Sequence, residues 1–288
     1  MTENSIANTA QHEFWNTVAG PRWVGLGGAV ERRVRRVNDL LLARSEVAAG
    51  ESVLEIGCGT GAATAPFAEA VGERGRVVGI DISEPMLAGA RKRIAESGLG
   101  NVTLLQADAQ VHRFEAGRFD LITSRFGVMF FADPVAAFSN LLPAVRRDGR
   151  LCFVCWAPLE ENRHWLIPYE VALRHLGPPA PTPPRMPGPL AFSDPDYVRS
   201  ILESAGFADV VIDRETPDII GSTPEEEAEH AFIMGPPARL IDEKKPDDAV
   251  RERIRREIRE AFAAYARNGP MLLPSTVFLV TARGRANH

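Results

Sequence analysis

The stretch from Val53 to Thr64, "VLEIGCGTGAAT", constrains this chain more than any other. An apolar run ends in an acid, Glu55. Gly57, Gly59 and Gly61 then alternate with other residues ahead of a run of small residues. Glycine weakens both strands and helices, so three at this spacing mark a turn that brings backbone where side chains would obstruct. A buried strand, a glycine turn and a helix N-terminus form a cradle for part of a nucleotide-like ligand. The helix start offers unpaired N–H groups, and the glycines admit the ligand to the backbone.

The residues that follow keep one rhythm. "SVLEI" reads as a strand, 62–71 as a helix and "RVVGID" as a strand. Pro85 to Ser97 reads as a helix with Ser83 as its N-cap. "VTLLQAD" and "FDLITSRF" are strands, Pro134 to Val145 a helix, and "GRLCFVCW" a fifth strand. Strands alternating with helices of this length predict an α/β fold with a parallel sheet and right-handed crossovers. "SDPDYVRSILESAGF" reads as a capped helix, and "ADVVIDRET" and "STVFLVTAR" as closing strands.

Three segments stand outside the rhythm. Residues 1–50 read as an N-terminal helical lid ahead of a 51–288 domain. Over 31–49, Val34, Val37, Leu40, Leu41 and Leu42 form an apolar stripe, and Arg32, Arg33, Arg35 and Arg36 are expected on the solvated face. Residues 157–192, with "GPPAPTPPRMPGP", are expected to be an irregular insertion. Residues 217–269 form a second insertion ending in a charged amphipathic helix. These extra helices also offer a surface for a homodimer.

Composition narrows the function. A formal net charge of −5 gives no reason to expect a nucleic-acid or anionic-membrane partner. No apolar run is long enough to span a bilayer, so no stable membrane insertion is expected. The opening residues lack the order of a signal peptide. The three cysteines form no disulfide framework, and Cys152 and Cys155 fall on opposite faces of a strand. A reduced, cytoplasmic protein is the expectation. His12, His112, His164, His175 and His230 lack ligand spacing, so no metal is expected.

Two ligands suit the cradle. Gly57, Gly59 and Ala62 satisfy the dinucleotide pattern, with Asp81 at a suitable distance. Glu55 would repel a pyrophosphate, however, and suits a ligand with a positive end. A lead of about fifty residues before the motif and a further acid in "LLQADAQ" also favour S-adenosylmethionine.

Taken in order, "VLEIGCGTGAAT", "VVGIDIS", "LLQADAQ", "FDLITSRFGVMFFADP" and "LLPAVRRDGRLCFVCW" resemble the class I S-adenosylmethionine-dependent methyltransferases, in particular their small-molecule, ubiquinone-biosynthesis-like branch. The resemblance implies a Rossmann-like, seven-stranded, mostly parallel sheet with helices on both faces and helical lid insertions. It implies cofactor contacts from Glu55, Gly57, Gly59, Gly61, Asp81, Ile82, Met86, Asp108, Ala109 and Ser124. Asp81 would take the ribose hydroxyls and Asp108 the adenine amino group, with Ile82 and Met86 against the ring. Methyl transfer is then an in-line displacement that needs positioning and desolvation more than acid or base.

The acceptor is expected to be a small, partly apolar molecule. Trp15, Trp23, Arg125, Phe126, Met129 and Tyr169 are the candidate acceptor contacts, with some of the aromatic run after strand four reserved for core. Phe14 joins the tryptophans as lid. If a base is needed, His164 is the first candidate and Glu170 the second. The alternatives are a non-catalytic S-adenosylmethionine-binding protein and an NAD-dependent oxidoreductase. A nucleic-acid methyltransferase is disfavoured because "SRFGVMFF" replaces the base-presenting Asn/Asp-Pro-Pro-aromatic run.

Overall fold

The computed structural model describes residues 7–266 and 271–284. Five parallel strands carry the alternating rhythm: β1 (Ser52–Ile56), β2 (Arg76–Asp81), β3 (Val102–Gln106), β4 (Phe119–Arg125) and β5 (Val145–Trp156). β6 (Phe207–Glu215) and β9 (Val277–Gly284) complete a seven-stranded sheet of order β3-β2-β1-β4-β5-β9-β6. Only β9 runs against its neighbours, between β5 and β6. The mostly parallel sheet expected from the motifs is therefore present. Every residue of β1 is buried, as a strand covered on both faces requires.

The helices start where the chain supplies caps. Ser83 Oγ accepts from Met86 N ahead of α6 (Glu84–Ser97), which ends on Gly98 in the left-handed region. Asp133 caps α7 (Pro134–Leu141). Its expected run to Val145 is cut short by a tight turn at Leu142–Ala144, where Pro143 stands. α5 (Thr64–Val71) follows the glycine loop, and α9 (Pro195–Ser204) starts on an Asp194 cap.

The lead is four short helices, α1 (Thr9–Thr17), α2 (Ala19–Gly25), α3 (Gly28–Arg33) and α4 (Arg35–Arg44). The single helix expected over 31–49 breaks at Val34, which leaves the helical region. That break corrects the solvated-face reading. Arg32, Arg35 and Arg36 are exposed, but Arg33 turns inward and is only 4% exposed.

The insertion at 157–192 is not irregular throughout. It holds α8 (Arg163–Leu176), with Pro168 buried inside the helix; Pro158 precedes the helix and the other prolines gather beyond Gly177. Proline content was a poor guide because the apolar stripe of α8 packs on the core and outweighs one missing backbone bond. The second insertion contains β7 (Asp218–Ile220), α10 (Pro224–His230), α11 (Gly235–Lys244) and α12 (Asp248–Ala263). β7 pairs with β8 (Leu272–Pro274) in a separate ribbon. Among the described residues no helix is long and apolar enough to cross a membrane.

Candidate active site

β1 and β4 are neighbours, yet the chain leaves them towards opposite edges of the sheet. The C-terminal ends of two such strands open into a crevice. Gly57, Gly59 and Gly61 lie there, all at positive φ (66°, 56° and 76°). Gly57 N and Cys58 N donate to Ile80 O, which ties the loop to β2. A Cβ on Gly57 would stand 2.8 Å from Gly127 Cα, beyond the end of β4. One on Gly61 would stand 3.3 Å from Ala90 Cβ, on α6. The glycines thus serve the fold as well as a ligand: they let the loop close on α6 and on the turn after β4.

Asp81 ends β2 with its oxygens aimed by backbone. Gly59 N donates to Oδ2 at 2.8 Å and Ser83 N to Oδ1 at 2.9 Å. Burial pushes its carboxyl above the usual range against those two bonds. Each oxygen keeps acceptor capacity, which suits a vicinal diol.

Glu55 is fully buried and accepts from Thr64 Oγ1 at 2.5 Å. Burial raises its carboxyl to about 7; Thr64 and Arg125 oppose that rise and Asp81 adds to it. Arg125, half-buried at the end of β4, faces Glu55 and Glu31 and lies 3.5 Å from Asn38 Oδ1. An acid and a guanidinium together at the strand tips match the ammonium and carboxylate of an amino-acid end. Ser124 serves the frame. Its hydroxyl donates to Ile56 O at 2.7 Å and accepts from Gly127 N at 3.1 Å, which locks β4 to β1. Sequence reasoning missed Thr64, and also Glu31, which accepts from Thr60 Oγ1 and pairs with Arg93 at 2.6 Å.

Asp108 lies at the same edge, but its carboxylate is already engaged. Ala7 N and Asn8 N each donate to Oδ2 at 2.8 Å. Asn8 Nδ2 donates to Oδ1 at 2.7 Å and Gln110 N at 3.0 Å. Four donors fill the capacity of a carboxylate, so the adenine role expected of Asp108 is not free in this conformation. The N-terminal lead from Ala7 to Asn16 thus lies as a strap over this edge, and it is held further along its length. Asn16 bridges Ile82 O and Glu84 N, Ser83 Oγ donates to Trp15 O, and Trp15 stacks edge-on against Phe130. Ile82 is half-buried beneath it, Met86 is buried with Cε against Gly59, and Ala109 is buried beside Asp108.

Of the lid aromatics, Trp15 and Trp23 pack on each other at 6.3 Å, while Phe14 is 45% exposed. Met129, expected at the acceptor, is buried in the core instead. Tyr169 is half-buried against the core, and its expected acceptor contact has no support from that packing. Glu170 does not join His164. It is six residues further along α8, on the exposed side, because six residues turn a helix through about 600°.

Phe126 follows Arg125 at φ 65° and lies flat on Trp156, with ring centroids 4.2 Å apart and planes 5° apart. Trp156 touches His164 (5.0 Å) and Trp165 (4.8 Å). Trp156 was legible only as the end of an apolar strand. His164 is buried with Nδ1 2.9 Å from Ser275 Oγ, which donates to Leu273 O at 3.2 Å. With that hydroxyl proton committed, Nδ1 carries the ring proton and Nε2 keeps its lone pair. Burial, reinforced by the Arg33 charge, holds His164 well below the usual histidine range, so the ring is neutral. Among the described residues no three His, Cys, Asp or Glu side chains are grouped to hold a metal ion.

The comparisons agree with this geometry. Residues 53–149 match a family described as "Methyltransferase domain". The chain is 33% identical over 260 residues to a nocamycin O-methyltransferase of Saccharothrix syringae, covering 87% of this chain and 90% of that protein. It is 42% identical over 119 residues to an aklanonic acid methyltransferase of a Streptomyces species, covering 41% of this chain and 52% of that one. The solved structure of YcgJ from Bacillus subtilis superposes with a TM-score of 0.57 at 19% identity, over 88% of this chain and all of that one, and shares the fold. The chain belongs to the class I S-adenosylmethionine-dependent methyltransferases. It is an enzyme whose methyl donor is S-adenosyl-L-methionine and whose acceptor is a small molecule.

Proposed function

We propose that the acceptor is a partly apolar ring compound held against the Phe126–Trp156 stack at the tips of β4 and β5. The observation that carries this reading is the parallel-stacked aromatic pair formed by Phe126, just beyond β4, and Trp156, at the end of β5, beside the strand that with β1 frames the cofactor loop. The relatives' names, a nocamycin and an aklanonic acid enzyme, support an acceptor of that size and character.

The chain's residues divide the work. Asp81 holds the ribose, Glu55 and Arg125 face the amino-acid end, and the glycine loop fixes the approach. When bound, S-adenosylmethionine supplies a methyl group on a sulfonium and leaves as a neutral thioether. Phe126 and Trp156 orient the acceptor and exclude water, which is where most of the acceleration arises. His164 Nε2 accepts the proton of the attacking group. A weakly basic imidazole suffices, because that proton becomes strongly acidic as the new bond forms.

The test is calorimetric titration of S-adenosylmethionine and S-adenosylhomocysteine into native protein and Asp81→Ala, followed by methyl-label transfer onto a panel of ring acceptors. Micromolar binding that weakens about 100-fold in Asp81→Ala fits the loss of two charge-assisted bonds. Binding indifferent to Asp81, or label transfer only to aliphatic acceptors, would overturn the reading.

A further inference from the structure

Glu55 and Thr123 are partners in the register of β1 and β4, and Arg125 follows Thr123 by two residues. Side chains alternate along a strand, so Glu55 and Arg125 share one face of the sheet. α4 and α5 lie on that face: Glu55 accepts from Thr64 on α5, and Arg125 reaches Asn38 on α4. Among the described residues that contact is the one hydrogen bond of the Arg125 guanidinium, it is long at 3.5 Å, and no carboxylate pairs with the group. A half-buried cation with five N–H donors and so few partners calls for an anion.

Asn38 is fixed at both ends of its carboxamide. Nδ2 donates to Ala62 O at 3.1 Å, at the exit of the glycine loop, which leaves Oδ1 to face Arg125, a group that only donates. On the other side of Gly61, Glu31 accepts from Thr60 Oγ1 and pairs with Arg93, whose Nε donates to Thr60 O at 3.0 Å. The lid helices α3 and α4 thus hold the cofactor loop on both sides of Gly61. We propose that Asn38 is a positioning residue for the cofactor's amino-acid end: it aims Arg125 at the carboxylate of S-adenosylmethionine, so that the lid helix α4 takes part in recognising that carboxylate. The inference rests on the place of Arg125 given under "Proposed function". A guanidinium held at one Nη keeps its other donors free in a set plane, which suits a bidentate carboxylate. Asn38 acts through Arg125, and its effect is therefore confined to ligands that carry the carboxylate.

The experiment titrates the full chain calorimetrically with S-adenosylhomocysteine and with its decarboxylated analogue, which keeps the ammonium, the thioether and the nucleoside. The native chain should bind the carboxylate-bearing ligand about tenfold tighter or more, as a charge-assisted pair requires. In Asn38→Ala, S-adenosylhomocysteine should weaken about five- to tenfold while the analogue stays within about twofold, so that the preference nearly disappears. Asn38→Asp sets an anion beside Arg125 that competes with the ligand's carboxylate, and it should lose the preference as well. A variant that weakens both ligands equally, or neither, overturns the proposal, because a lid that is merely loosened does not distinguish the two. If Asn38→Ala does not fold, the near-isosteric Asn38→Asp decides the matter by the same ratio. Equal binding of the two ligands by the native chain overturns the placement of Arg125 and the proposal with it. Binding of neither overturns the cofactor cradle itself, and the proposal falls with that too.

Discussion

Phe126 lies flat on Trp156 while its own backbone sits at φ 65°, a region that disfavours bulky residues. The stack holds a strained residue at the strand tip, and strain of this kind costs on the order of 1–3 kcal/mol. Phe126→Gly should relieve the backbone and lose the ring. Stability is expected to change by less than about 1 kcal/mol, whereas acceptor KM rises about tenfold and S-adenosylhomocysteine affinity stays within threefold. Chemical denaturation and steady-state kinetics check this. An unchanged KM would place the acceptor elsewhere.

Gly57→Ala should act on the fold. Its Cβ would enter Gly127 at 2.8 Å, at φ 66°. Neither backbone can yield without separating β1 from β4. We expect a loss of about 2 kcal/mol or more, read as a lower denaturant midpoint, together with loss of cofactor binding. A stable variant that still binds would show that the loop tolerates a wider crevice.

Two buried acids give the stability curve opposite slopes. Glu55 has a folded value of about 7 against an ordinary 4.5, so between those values the folded state binds more protons than the unfolded one. Its contribution is present below pH 4.5 and lost as pH rises to 7, by about 3 kcal/mol. Glu227 is the reverse. Burial alone would raise it, but His230, Arg33 and Ser222 bring it down to about 2. Its contribution is present above pH 4.5 and lost as pH falls towards 2. Glu55→Gln should flatten the upper slope and Glu227→Gln the lower one in denaturation measured from pH 3 to 8. A Glu55→Gln profile parallel to the native one would mean that Glu55 is ionised throughout.

Asn8 competes for the carboxylate that adenine would use. Asn8→Ala removes its side-chain donor to Asp108 and its acceptor for Ala132 N. Each such bond is worth about 1 kcal/mol, so the strap should loosen and S-adenosylhomocysteine bind about 3–10-fold tighter, with faster association. Stopped-flow binding checks it. Weaker binding would show that the strap belongs to the bound state.

The cradle was legible because its causes are local. Gly57, Gly59 and Gly61 announce positive φ within five residues, Ser83 announces a cap, and the strand–helix rhythm announces a parallel sheet. The same local reading placed Arg33 wrongly in water. A helical wheel assumes a continuous helix, and the break at Val34 removed that assumption. Glu170 went astray by being near His164 in sequence while on another face of α8. Nothing near Asp108 hints that Asn8 will fill it from 100 residues away.

By itself, then, the sequence determined the sheet, the glycine loop and the acids at the tips of β1 and β2, since short-range backbone preference and apolar periodicity suffice for these. Tertiary structure alone decided which aromatics stack beyond β4, that Arg33 is buried with Glu227, and that Asp108 is covered. Those arrangements arise where separate elements pack, and the burial that forces each polar group to find a partner exists only once the chain has folded.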